Sequence, residues 1–159
     1  MELNIVSARQ YASGIEVIEN SGIVKFGKSV KFAMLAAKIK KDVSDKIGAE
    51  EEAIQKKAEP FVAEIRTYLE KEDFTGEALQ RELNKRLLEN ESYKEVSAEL
   101  GKLYEKTITL ENGSIILSDA DIVENREPVP VTIAGESKAI DPYAQLRFFI
   151  KEGLITYND

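Results

Sequence analysis

The sequence of 159 residues contains no cysteine and no histidine. Without cysteine there are no disulfides, no thiolate zinc sites and no cysteine nucleophiles. Without histidine there is no His-based catalytic triad and no imidazole metal ligand, and histidine is the commonest general base near neutral pH. Carboxylates, lysines, tyrosines and hydroxyl groups are what remains for chemistry. The composition therefore predicts a protein that is not an enzyme and that holds no cofactor.

Long apolar runs and glycine-rich motifs are also missing. The longest mainly apolar stretches fall far short of the roughly 20 residues that a membrane span needs. Residues 1–10 lack a basic region followed by an apolar run, so they do not look like a secretory signal. There is no GxGxxG loop, no Walker A pattern and no Gly-x-Ser-x-Gly elbow. We therefore expect a soluble chain with no contact to membranes.

Acidic residues outnumber basic ones, which gives a formal net charge of −7. Binding to nucleic acid depends on neutralising phosphates with a basic surface, so nucleic acid is not an expected partner. The chain is 43% hydrophobic and 32% charged, which provides enough apolar material for a folded core.

The longest pattern is an apolar stripe that continues for almost forty residues. Its members recur mainly at intervals of three, four and seven residues, the spacing of one helix face. They are Phe32, Leu35, Ile39, Val43, Ile47, Ile54, Phe61, Ile65 and Leu69. Pro60 lacks an N–H group and crowds the preceding turn, so it predicts either a kink or a restart of the helix.

A second helical run follows the turn at residues 73–76. Its apolar side chains recur every four residues at Leu79, Leu83 and Leu87, and a capping box beginning at Ser92 predicts a restart. Two long helical segments joined by a short connection pair antiparallel most simply, because each covers the apolar stripe of the other. The sequence therefore predicts a long antiparallel helical hairpin.

The remaining residues change to the alternating pattern of strands. Asn112-Gly113 separates the apolar runs 107–110 and 115–117, which predicts a β-hairpin. Val129–Ile133 is a further candidate, placed at a sheet edge by its prolines. Asp141 and Pro142 are typical of a helix start and predict a short C-terminal helix.

The predicted fold class is α+β, mainly α, with a long helical hairpin, a small β-hairpin or sheet and a short C-terminal helix. We expect a single domain over residues 1–159. Within it, residues 1–27 form an N-terminal strand and helix, residues 28–106 form the hairpin, and residues 107–159 form the small β region with the last helix.

Two groups of charged residues are candidate sites. Asp119, Asp121 and Glu124 are oxygen ligands of the kind that Ca²⁺ and Mg²⁺ take, but the loop lacks the mid-loop glycine and closing glutamate of an EF-hand. A solvated acidic loop is the better interpretation, so no metal site is predicted.

The second group consists of lysines at the start of the long helix. Lys31, Lys38 and Lys41 fall within roughly a quarter turn of one another. They indicate a site for an acidic partner surface or a nucleic acid, and the alternative is an ordinary solvated helix face. Phe32 and Leu35 join them as possible partner-binding residues, because the apolar stripe is longer than the second helical run that faces it. We therefore expect a homo-oligomer, unless the N-terminal or final helix folds back over the stripe.

Several segments resemble a group of small tailed-phage and prophage proteins that are described only as domains of unknown function. The resemblance runs through residues 22–32, the long charged helix, residues 93–100 and 107–110, and the segment 140–150. The segment 118–137 is longer than in that group and stays unassigned. The resemblance implies a phage origin and no known reaction.

We therefore expect a non-enzymatic phage protein that acts through protein–protein contacts as a virion-associated or assembly factor. The alternative is a phage effector that binds and inhibits a host or anti-phage defence protein. The expected partner is accordingly a phage structural protein or a host protein. The expected location is the host cytoplasm, or the virion if the protein is incorporated there.

The acidic cluster gives a first test. EDTA and millimolar Ca²⁺ should leave the melting temperature unchanged, because a solvated acidic loop binds calcium no more tightly in the folded state than in the unfolded state. A cation bound only to the folded state at a hundred times its dissociation constant would add about 2.7 kcal/mol of stability. A calcium-dependent rise in the melting temperature that Asp119→Ala abolishes would contradict this expectation.

Overall fold

The computed structural model describes residues 1–124, 126–133 and 136–158, and helices dominate it. The helices of these residues are α1 (Ile5–Ser21), α2 (Phe26–Lys71), α3 (Gly76–Glu89), α4 (Glu91–Tyr104) and α5 (Pro142–Lys151). The strands are β1 (Glu2–Asn4), β2 (Thr107–Thr109), β3 (Ile115–Leu117), β4 (Val129–Ile133), β5 (Glu136–Ile140) and β6 (Ile155–Tyr157). The predicted class, α+β and mainly α, is confirmed.

The chain forms two compact units. One consists of Met1–Val43 with Thr107–Asp159, and the other is Ser44–Lys106. Helix α2 contributes residues to both units. The single domain expected over residues 1–159 stays a prediction.

The unit Ser44–Lys106 is a helical hairpin. Polar contacts join α2 to the helices that follow it, and as the residue number rises along α2 it falls along α3 and α4. The contacts are Glu50 with Lys106 at 2.6 Å, Glu51 with Tyr104 at 2.6 Å, Lys57 with Glu99 at 2.6 Å and Glu72 with Arg86 at 3.6 Å. Helix α2 therefore runs antiparallel to α3 and α4, as predicted.

An apolar cluster closes the tip of this hairpin. Leu69, Leu83 and Leu87 are buried there. Half-buried side chains pack around them, namely Val62, Ile65, Phe74, Leu79 and Tyr93. The stripe on α2 and the four-residue repeat on α3 therefore meet as the sequence predicts.

Two local expectations for the hairpin differ from the structure. Of the two alternatives predicted at Pro60, a kink and a restart of the helix, the restart is wrong, because α2 continues through that residue. Helix α4 begins two residues earlier than predicted, because Asn90 and not Ser92 is its N-cap. The Asn90 Oδ1 atom accepts a hydrogen bond from the Tyr93 backbone N–H at 2.9 Å. Asn supplies the same short acceptor as Ser at a helix start.

In the other unit, strands near the two ends of the sequence supply the pairing partners. Strand β2 pairs antiparallel with β1, and β3 pairs parallel with β6. The predicted β-hairpin across Asn112-Gly113 is therefore wrong. Gly113 does make a turn with a φ of 64°, but the hydrogen-bonding edges on either side of it are taken by residues distant in sequence. Turn chemistry is local, whereas strand pairing is decided by which edge is within reach.

Strand β4 lies where the sequence predicts it and forms an antiparallel pair with β5. The previously unassigned segment 118–137 thus contains a short 3-10 turn at Asp119–Asp121 and strand β4. Its residues 125, 134 and 135 lie outside the described part of the chain. The start of α5 is confirmed, because the Asp141 carboxylate accepts a hydrogen bond from the Tyr143 N–H at 2.9 Å and Pro142 occupies the first turn.

Helices α1 and α5 pack closely in this unit. A Cβ atom on Gly14 would lie 2.9 Å from the Phe149 ring and 2.8 Å from the Gln145 side chain, so a larger residue at this crossing would have to displace them. Tyr11 packs edge-on against Phe148 and Phe149 with ring centroids 5.6 and 5.2 Å away. The buried side chains of the unit come from α1, α2, α5 and the strands, and include Ile5, Ile15, Ile18, Phe32, Ile39, Leu110, Ile115, Leu117, Phe149 and Leu154.

Two adjacent leucines on α3 test the register of the hairpin. Leu87 is 6% exposed and Leu88 is 70% exposed. Leu87→Ala should lower the free energy of unfolding by about 2–4 kcal/mol, because it removes buried methyl groups and leaves a cavity. Leu88→Ala should change it by less than about 0.5 kcal/mol. Urea unfolding of both variants measures the difference, and equal costs would mean that α3 is rotated from the position described.

Candidate interaction surface

The first turns of α2 carry large apolar side chains on the side that faces away from the core. Phe26 is 85% exposed, Val30 is 42% exposed and Met34 is 67% exposed. They are spaced by four residues, so they form one row along the helix that is about 12 Å long. We call these three residues the α2 apolar row.

The row and the core occupy opposite sides of the same helix. Phe32 is fully buried, Ile39 is fully buried and Leu35 is 8% exposed. At about 100° per residue, these three side chains point to the side of α2 opposite Phe26 and Val30. The start of α2 is therefore apolar on two faces, of which the chain covers one.

Helix α1 lies beside the buried face of α2. The Ser29 hydroxyl donates to the Glu19 carbonyl at 3.4 Å, and Lys40 forms an ion pair with Glu16. From the first contact to the second, the residue number rises along α2 and falls along α1. The two helices therefore run antiparallel across the connection at residues 22–25.

The burial of Phe32 and Leu35 corrects one expectation. The sequence predicted that this part of the stripe has no partner on the second helical run and is free for another molecule. The chain itself covers both side chains, since Phe32 is 0% exposed and Leu35 is 8% exposed. Neither residue is accessible to a partner in this structure.

The start of α2 is held in place by the segment that follows β3. The Lys25 N–H donates to the Asp121 carbonyl at 2.9 Å, and the Val123 N–H donates to the Ile23 carbonyl at 2.7 Å. Val24 also forms an isolated antiparallel bridge with Ile122. The helix accordingly begins at Phe26, two residues before the start at residue 28 that the sequence predicts.

Lys28 adds two side-chain contacts to this anchor. Its Nζ atom lies 2.6 Å from the Ile116 carbonyl and 3.3 Å from the Asp121 carboxylate. The Asp121 Oδ2 atom also accepts hydrogen bonds from the Ser118 N–H at 2.9 Å and the Ser118 hydroxyl at 3.0 Å. The apolar row therefore lies on a helix end that several hydrogen bonds and an ion pair hold in place.

These contacts change the acidity of Asp121. Partial burial disfavours the charged carboxylate, but the two hydrogen bonds from Ser118 and the nearby Lys28 ammonium outweigh it. Together they hold the pKa of Asp121 below its usual value of 3.8. The carboxylate is thus used as a structural acceptor.

Two of the three acidic residues considered above as cation ligands, Asp119 and Asp121, are engaged by contacts within the chain. Asp119 accepts a hydrogen bond from the Tyr157 hydroxyl, and Asp121 is held by Ser118 and Lys28. In the part of the chain that the structure describes, no group of three or more acidic side chains is placed to hold a metal ion. Likewise, no helix among these residues is long and apolar enough to cross a membrane.

The pKa of Tyr11 is also displaced. Burial of the ring and the charge and hydrogen bond of Glu152, whose Oε2 atom lies 3.2 Å from the hydroxyl, raise the pKa of Tyr11 above its usual value. The hydroxyl points to a carboxylate at the edge of an aromatic cluster. This arrangement anchors α1 to the end of α5.

Lysines surround the apolar row. Residues 22–41 contain six lysines and no acidic residue. Of these lysines, Lys28 and Lys40 form ion pairs with Asp121 and Glu16. The predicted site residues Lys31, Lys38 and Lys41 are all exposed. Within the described residues, Lys31 and Lys38 have no ion-pair partner, whereas Lys41 interacts within the chain.

The apolar row itself was not among the predicted site residues. Its four-residue repeat is visible in the sequence, but it runs beside the longer stripe that begins at Phe32. When one helix carries apolar residues on two sides, the longer repeat indicates the side that faces the core. The shorter repeat is then easily overlooked. A second repeat out of phase with the first is the signal that could have found the row.

The anchor gives a prediction about pH. A carboxyl group whose folded-state pKa is depressed adds stability above its unfolded pKa, and this stability is lost as the pH falls through the folded pKa. Replacement Asp121→Asn should therefore lower the unfolding midpoint at pH 7, and the gap between parent and variant should shrink below about pH 4. Urea unfolding at several pH values measures this. Lys28→Ala should reproduce part of the effect, and a gap that stays constant down to about pH 2 would contradict the role of Asp121.

The chain was compared with protein-family models, with curated proteins and with solved structures, and none of them matches it. The resemblance to phage proteins therefore stays a prediction from short segments and their order.

Proposed function

We propose that this protein acts by binding another protein through the α2 apolar row, without a catalytic step. The observation that carries the proposal is the row itself, in which Phe26, Val30 and Met34 are 85%, 42% and 67% exposed on one side of a helix. Single exposed apolar side chains are common on protein surfaces, but neighbouring ones on a fixed element mark interaction sites.

The polar groups of the same unit support a binding role. Tyr11 and Asp121 are acids with displaced pKa values, and in both cases contacts that hold the fold together explain the displacement. Perturbed acids at a reaction centre are matched to a substrate cavity. Here they connect α1 to α5 and α2 to the segment after β3.

The biological setting that we propose is a virion-associated or assembly role in a tailed phage. Its support is the resemblance of residues 22–32 and the later segments to phage proteins, and Phe26 and Val30 belong to the first of these segments. The partner is then a phage structural protein. The alternative is an effector that binds a host or anti-phage defence protein through the same surface.

Self-association was expected from an uncovered stripe at Phe32 and Leu35. Because both side chains are buried, that reason no longer holds. A homo-oligomer would have to use the apolar row or another surface, and it is kept as an outcome to be tested.

Substitution of the row tests the proposed function. The double variant Phe26→Ser with Met34→Ser should fold like the parent, because both side chains are exposed, but it should lose at least about tenfold in binding, equal to roughly 1.4 kcal/mol. The binding assay is affinity capture from cells that produce the phage, with the captured proteins identified by mass spectrometry. Leu88→Ser is the matched control, since Leu88 and Met34 are 70% and 67% exposed.

Capture of particle proteins by the parent and the control, but not by the double variant, is the expected result. Presence of the protein in infected cells but not in purified particles would instead favour the effector alternative. Capture of the same proteins by parent and double variant would show that the row is not the binding surface.

A further inference from the structure

The charge around the apolar row identifies what kind of surface it fits. Residues 22–41 carry six lysines and no acidic residue in a chain whose net charge is −7. Lys28 and Lys40 are neutralised by Asp121 and Glu16, but Lys31 and Lys38 are exposed. The start of α2 is therefore a positive patch on an otherwise acidic protein.

Lys31 and Lys38 are arranged along the row. They are seven residues apart, which is close to two helical turns, so they lie on the same side of α2. That side is roughly 40–60° around the helix from Met34, between the row and the buried face. An occupant of the row accordingly meets a line of positive charge along one of its edges.

We propose that the α2 apolar row binds an amphipathic helix of a partner protein whose apolar residues are flanked by glutamate or aspartate. This inference rests on the proposed function and adds the chemical class of the partner. The apolar row contacts the apolar face of that helix, and its carboxylates pair with Lys31 and Lys38.

The geometry of the row favours a helix as its occupant. Phe26, Val30 and Met34 form one ridge at four-residue spacing, and such a ridge fits between the corresponding ridges of a second helix at a crossing angle of about −50°. The row is narrow, because Phe26, Val30 and Met34 span only about 80° of the helix circumference. Helices that lie in a membrane surface bury a broader apolar face.

Charge disfavours a second copy of this chain as the occupant. A symmetric contact brings the same patch of both copies together. Since residues 22–41 contain no acidic side chain, Lys31 and Lys38 of one copy would face lysines of the other. Like charges across an interface oppose binding, whereas an acidic helix relieves this repulsion.

The fixed start of α2 contributes to the binding. Backbone hydrogen bonds from Lys25 and Val123 and the contacts of Lys28 hold Phe26 and Val30 on an ordered helix end before any partner arrives. A surface that is already ordered loses less conformational entropy when it binds.

Two synthetic peptides test the proposal. Both are blocked 18-residue helices with leucine at positions 4, 8 and 12, flanked in one peptide by glutamates and in the other by lysines at the same positions. We expect the intact protein to bind the glutamate peptide at least about tenfold more tightly than the lysine peptide. Titration by fluorescence anisotropy at low and high salt should show that the preference falls as salt screens the charges.

Charge reversal provides the matched variant. Lys31→Glu with Lys38→Glu should reverse the preference, so that the lysine peptide binds more tightly than the glutamate peptide. Both substitutions are on exposed side chains, and circular dichroism checks that the fold is kept. Phe26→Ser with Met34→Ser should weaken binding of both peptides, because it removes the apolar contact.

Several results would overturn the inference. They are equal binding of the two peptides, an unchanged preference after charge reversal, or tighter binding to phosphatidylglycerol vesicles or duplex DNA than to the glutamate peptide. Concentration-dependent dimerisation that Met34→Ser abolishes would assign the row to a second copy. If these results occur while the row variant still loses protein capture, the partner class is wrong and the proposed function stands. If the row variant keeps capture, the proposed function itself fails.

Discussion

The apolar seam along α2 is the interaction on which the rest of the structure depends. Helix α2 has 46 residues. Most of the stability of a helix in a protein comes from packing of its apolar face, so α2 needs apolar neighbours along its length. Phe32, Leu35 and Ile39 obtain them within one compact unit, and Leu69 obtains them from α3 in the other. Each unit thus has its own stretch of α2 among its buried residues.

Residues far apart in sequence complete the unit that contains the row. Strand β2 is paired by β1 and strand β3 by β6, so residues 2–4 and 155–157 cover edges in the middle of the chain. Exposed strand edges offer unpaired N–H and C=O groups to other chains. The segment between β3 and β4 then reaches the start of α2 through Asp121 and Val123. As a result, the helix end that carries Phe26 is fixed by long-range contacts.

Repeating patterns and local capping could be predicted from the sequence, whereas choices between distant partners could not. The four-residue repeat from Leu79 to Leu87 and the Asp141 cap were sufficient for the hairpin and for α5. The Asn112-Gly113 turn is present, but its flanking strands pair with β1 and β6. This could not be predicted, because no local signal indicates which distant strand pairs with a given edge. Lys31, Lys38 and Lys41 are exposed, which agrees with both a binding site and an ordinary solvated face. The burial of Phe32 and Leu35 was expected only as the alternative, because the spacing of the stripe does not indicate what covers its start.

The two apolar faces of α2 have different consequences for the protein. Burial of Phe32 and Ile39 stabilises the fold, at roughly 1.5–3 kcal/mol for each large side chain taken out of water. Phe26 and Met34 give no such stabilisation while they stay exposed, and exposed apolar side chains promote aggregation. Like charges on the flanking lysines oppose contact between two copies of the same patch. In the binding mode that we propose, the same lysines attract an acidic surface, so one arrangement disfavours self-association and favours an acidic partner.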